Sequence, residues 1–139
     1  MSLAPWALGN GQPASATQVP DEQDRAAVCA VSEVALATLK FMHHDIDDKD
    51  RNTIVRLQQE AGGYTQLPKK IRCGREVLRL VPLRYGTYMH SYILSHDRKE
   101  IVISGGYQAS SLDGASGDCL FRLSGGEWHS VACRIDTVS

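Results

Sequence analysis

The chain has 139 residues, 42% of them apolar, and its 15 basic and 16 acidic side chains leave a formal charge of −1. That length suits one domain with a sizeable core. The composition excludes global disorder, and the charge lacks the marked basic excess of a general nucleic-acid binder. No apolar run approaches the length of a membrane span.

Residues 1–20 are rich in Ala, Gly, Pro and Gln and show no period. They read as a tail that Trp6 anchors if it packs on the body. Met1-Ser2-Leu3 reads as an expression remnant. Ala14-Ser15-Ala16 has the small-x-small form of a signal-peptidase site, which points to export. Residues 21–139 form the single folded domain.

Asp21 is placed to cap a helix, with Glu22 and Asp24 in the first turn, where the helix dipole favours acids. Val28, Val31, Ala35, Leu39 and Met42 recur at spacings of three and four, so one apolar face runs to about Met42. Asp47 or Asp48 caps a second helix. Ile54, Leu57 and Ala61 line its narrow apolar face, and Gly62-Gly63 end it. The two helices are expected to form an αα-hairpin.

Lys69 to Arg84 carries Lys69, Lys70, Arg72, Arg75, Arg79 and Arg84 against the single acid Glu76. Within it Val77, Leu78, Leu80 and Val81 predict a mostly buried strand ending near Pro82. Tyr88 to Leu94 is a second strand, followed by a polar turn. Ile101 to Ile103 is a third, closed by Gly105-Gly106. Gln108 to Asp118 then reads as a long polar loop. Leu120 to Leu123 and Trp128 to Cys133 flank Ser124-Gly125-Gly126-Glu127, a strong hairpin signal.

Four cysteines suit two disulfides in an oxidising compartment. If Leu123 and Trp128 flank the last turn, Cys119 falls one place from Cys133. A shorter loop or one bulge brings the two opposite. That leaves Cys29 on the first helix for Cys73. Spacing alone excludes neither of the other two connectivities.

Candidate chemistry is sparse. Asp48, Asp50 and Asn52 match the first positions of a calcium loop, but Thr53 stands where Gly is needed and Gln59 where a bidentate Glu is needed. A capped, solvated helix start accounts for them. His43 and His44 are adjacent, which puts them on different helix faces and argues against zinc. No glycine pattern matches a nucleotide loop, so no cofactor is expected. His90 and His129 are candidate general bases if they line a cavity under the first helix. Arg75 and Arg79 belong either to an acidic-partner patch or to a solvated strand edge. Leu112, the one large apolar residue of the polar loop, and its neighbour Asp113 are candidate partner contacts.

Two helices followed by four or five antiparallel strands define an α+β domain, with the helices expected on one face of the sheet. This layout resembles cystatin-like folds, including the NTF2-like group, in which a curved antiparallel sheet wraps an N-terminal helix. Such a fold hosts enzymes and binding modules alike. The leading expectation is an exported, disulfide-bonded binding module, of inhibitor or immunity type, that recognises a protein or small ligand. The alternatives are a cystatin-like enzyme using His90 or His129 with an acid, and a structural envelope subunit.

Overall fold

The structure is a computed structural model and describes residues 21–42 and 46–138. Trp6, Ala14-Ser15-Ala16, His43 and His44 lie outside the described residues.

Helix α1 (Glu22–Lys40) starts where the Asp21 side chain accepts from the Asp24 N–H at 2.8 Å. Helix α2 (Asp48–Ala61) starts the same way, Asp47 accepting from the Asp50 N–H at 2.8 Å. It ends at Gly62, whose φ of 73° favours glycine. Seven strands follow: β1 (Thr65–Gln66), β2 (Lys70–Cys73), β3 (Glu76–Arg79), β4 (Gly86–Leu94), β5 (Glu100–Ser110), β6 (Asp113–Ser124) and β7 (Glu127–Val138). Five form an antiparallel sheet in the order β1-β4-β5-β6-β7, and β2 and β3 make a separate two-stranded sheet. No helix among the described residues is long and apolar enough to cross a membrane.

Contrary to the expectation of both helices on one face, α1 and α2 cover opposite faces of the sheet. α1 buries Val28, Val31, Ala35 and Leu39 against Met89, Tyr92, Ile101, Ile103, Cys119, Phe121 and Trp128. α2 buries Ile54 and Leu57 against Ile93, Val102 and Leu120. Neighbours along a strand point to opposite faces, so the sheet is a middle layer between the helices. Tyr92 Oη and Arg98 Nη1 both donate to the Asp24 carboxylate, at 2.7 Å each, and fix the start of α1 beside β4. Thr38, Phe41 and Met42 bring its end beside Ser130 to Cys133 of β7.

Beyond the helices, β5 and β6 run on as one hairpin, which corrects two expectations. Gly105-Gly106 lies inside β5, paired with Met89 and Tyr88 on one side and with Gly117 and Ser116 on the other. The expected loop from Gln108 to Asp118 is mostly strand, and Ser110 pairs with Asp113 around a turn of Ser111 and Leu112. A Cβ on Gly105 would lie 2.1 Å from the Tyr88 carbonyl oxygen, and one on Gly117 would lie 2.1 Å from that of Arg134. Only glycine lets these strands approach so closely. In the same row β4 is bulged at His90 and β7 at Asp136. Bulges and in-strand glycines together bend and coil a sheet, here across four strands.

Both expected disulfides are present. Cys119 and Cys133 face each other directly, with Cα atoms 4.0 Å apart. Ser124 pairs with Glu127 around Gly125 and Gly126, both left-handed, and Leu123 pairs with Trp128. A bulge at Val131 supplies the residue that brings Cys119 into register. Cys29 joins Cys73 with a Cα separation of 5.7 Å, tying β2 to α1.

Candidate functional site

The run from Lys69 to Arg84 is not a mostly buried strand in the main sheet. It folds as the β2–β3 hairpin, turned by Gly74 (φ 67°) and Arg75. Period-two alternation sorts its side chains onto two faces. Ile71, Cys73 and Leu78 face inward; Ile71 is buried, and Cys73 and Leu78 pack against the core. Lys70, Arg72, Val77 and Arg79 face outward, with Lys70 directly opposite Arg79 and Arg72 opposite Val77. Leu80, fully buried, ties the hairpin down: its N–H donates to the Lys69 carbonyl, and its own carbonyl accepts from the Met89 N–H.

The outward face is charged without compensation. Elsewhere Arg25, Arg56, Arg98, Arg122 and Arg134 each meet a carboxylate. Among the described residues none of Lys69, Lys70, Arg72, Arg75, Arg79 and Arg84 does. Val77 stands among these cations with 56% of its surface exposed. Where the hairpin meets α1, Cys29, Ser32, Glu33, Leu36, Cys73 and Leu78 line a groove of about 390 Å³, which Glu76 and Val77 also border.

The other candidates lie apart from this face. Leu112, 84% exposed, and Asp113 stand at the β5–β6 turn. Leu83 and Tyr85, also exposed, precede Gly86, which pairs with Gln108 near that turn. No hydrogen bond or ion pair among the described residues joins Arg75 or Arg79 to Leu112 or Asp113.

His90 and His129 do not meet, and neither lies beneath α1. The space there is filled by the apolar side chains of the α1 core. His90 sits on the β4 bulge on the opposite face, its ring stacked on Tyr88 at 6.1 Å and its Nε2 3.5 Å from Ser104 Oγ. Burial lowers its pKa, against the weaker pull of Asp118 and Asp136. His129 pairs with Arg122, which pairs with Glu100, four residues from Ser104 along β5. Four residues of strand span about 13 Å.

One polar cluster escaped sequence reasoning. Asp118, almost fully buried, accepts from Arg134 Nη2 at 2.7 Å. Beside it, Tyr64 Oη accepts from Gln58 Nε2 at 3.0 Å, and burial pushes the Tyr64 phenol up to about 12, with Asp118 adding to the shift. Gly117-Asp118-Cys119, taken as strand rather than loop, would have put Asp118 on the face away from α1. No group of three metal-ligating side chains occurs among the described residues.

No family model, curated protein or solved structure compared with the chain matches it.

Proposed function

We propose that this protein is an exported, disulfide-bonded binding module that docks an acidic surface of a protein partner, as an inhibitor or immunity-type protein does. One observation carries the reading. The β2–β3 hairpin holds outward, around an exposed valine, a set of cations that meet no carboxylate among the described residues, while the chain as a whole is nearly neutral. Such segregated charge steers and orients association. Two disulfides suit an oxidising compartment, and one of them holds this hairpin to α1. The filled core beneath α1 favours a binding surface over a cavity enzyme.

The test uses the source organism. Tagged wild-type protein is exposed to the extracytoplasmic fraction, and retained proteins are identified at low and high salt. Arg72→Glu/Arg79→Glu and His90→Ala are run beside it. The proposal expects a partner with an acidic surface, released by salt and lost with the charge reversal but kept with His90→Ala. A partner indifferent to the hairpin charges, or native protein found with four free thiols, overturns it.

A further inference from the structure

The hairpin's one-sided pairing says more about the partner than its charge does. β3 pairs with β2 along one edge and has no second partner strand among the described residues. Successive N–H groups of a strand point to opposite edges, so β3 presents backbone donors and acceptors along its free edge. The groove bordered by Glu76, Val77 and Leu78 runs along its inner side, floored by Cys29, Leu36 and Cys73. Lys70, Arg72 and Arg79 stand on its outer side. The backbone of β3 therefore separates a hollow that offers Leu36, Leu78 and two carboxylates from a layer of cations.

We infer that β3 is the receiving edge for an extended segment of a partner protein whose residues alternate between apolar and acidic. Strand addition makes main-chain hydrogen bonds along the edge and sends alternate side chains to opposite faces. Side chains of one parity enter the groove beside Leu36 and Leu78. Those of the other parity lie beside Val77 and Arg79, with Lys70 and Arg72 one strand further on β2, cations that meet no carboxylate among the described residues. An apolar segment leaves the cations unmet. A run of consecutive acids places half of its carboxylates in the groove beside Glu33 and Glu76. Alternation satisfies both sides. The edge is short, so about four residues of the partner engage it. The inference rests on the reading of the hairpin as the docking face.

The experiment uses the full chain and two fluorescein-labelled, end-capped peptides of one composition. One alternates (Asp-Val-Asp-Leu-Asp-Val) and one is blocked (Asp-Asp-Asp-Val-Leu-Val). Anisotropy gives Kd, and amide exchange is followed at Val77 and Leu78, one of which points its N–H away from β2. The alternating peptide is expected to bind about tenfold tighter than the blocked one, and to weaken about fivefold between low and high salt. It slows exchange at the outward amide, and Arg72→Glu/Arg79→Glu abolishes its binding. Equal affinity for the two peptides overturns the strand-addition claim while leaving a basic docking face intact. Failure of both peptides to bind at millimolar concentration also overturns it. Self-association of the free protein that Val77→Asp removes assigns the edge to a second copy of the chain and overturns it as well. A partner captured from the source but indifferent to the hairpin charges is a separate failure, that of the docking face itself.

Discussion

Lys70 and Arg79 stand directly opposite each other on the exposed face of the β2–β3 hairpin, two cations paired across an antiparallel ladder. Like charges in that position destabilise. Nothing in the fold requires them, because Ile71, Leu78, Leu80 and the Cys29–Cys73 disulfide attach the hairpin from its other side. Arg79→Glu turns the pair into an attractive one. It is expected to raise stability by about 0.5 kcal/mol while weakening partner binding. Denaturant melts of wild type and variant check the first half. A destabilised Arg79→Glu protein would mean that Arg79 serves the fold rather than a partner.

The two disulfides should differ in worth. Cys29–Cys73 closes a separation of 44 residues and Cys119–Cys133 one of 14. On the chain-entropy account, losing the first costs about 4 kcal/mol and losing the second about 3. Paired Cys→Ser variants of each bridge, unfolded in denaturant, give the order directly. The Cys29→Ser/Cys73→Ser protein should also show faster amide exchange across β2 and β3, since the bridge joins that hairpin to α1.

Alkaline pH tests the α1–β4 junction. Tyr92 donates to Asp24 at 2.7 Å, and burial followed by that carboxylate raises its pKa. The folded protein therefore keeps a phenolic proton that the unfolded chain releases near pH 10. The stability this group contributes is complete below pH 10 and is lost as pH rises from there through the folded value. Tyr92→Phe should lower stability at neutral pH by about 1 kcal/mol. It should also flatten the decline above pH 10. An unchanged alkaline slope would remove Tyr92 as its source.

Asp47→Ala removes the carboxylate that accepts from the Asp50 N–H and should cost about 1 kcal/mol. Added calcium should leave the melting temperature of wild type unchanged, because Asp48, Asp50 and Asn52 lie in the first turns of α2 rather than in a coordinating loop. A calcium-dependent rise would restore the ion-binding reading.

The elements that sequence alone located were those with local signals. Both helices showed a 3.6-residue apolar period, an Asp cap and, for α2, a glycine stop. The last hairpin showed Gly125-Gly126, and counting outward from it gave the Cys119–Cys133 pairing up to one bulge. What failed depended on contacts between strands. Gly105-Gly106 looks like a breaker until a Cβ is placed there and meets the backbone of the next strand. The opposed helices do have a signal in the sequence. Tyr92-Ile93-Leu94, Ile101-Val102-Ile103 and Cys119-Leu120-Phe121 are unbroken apolar runs in adjacent strands, as a sheet covered on both faces requires. At the candidate site, Arg75 and Arg79 were visible as charge. Their place on a separate hairpin depends on Gly74-Arg75 making a two-residue turn between short alternating strands, which the continuous basic run masks.

The most direct test of the docking face is capture from the source's extracytoplasmic fraction by wild-type and Arg72→Glu/Arg79→Glu protein, side by side at low and high salt. The account predicts one or more acidic partners on the wild type at low salt, released at high salt and missing from the variant. A partner held equally by both proteins, with no dependence on salt, would contradict it.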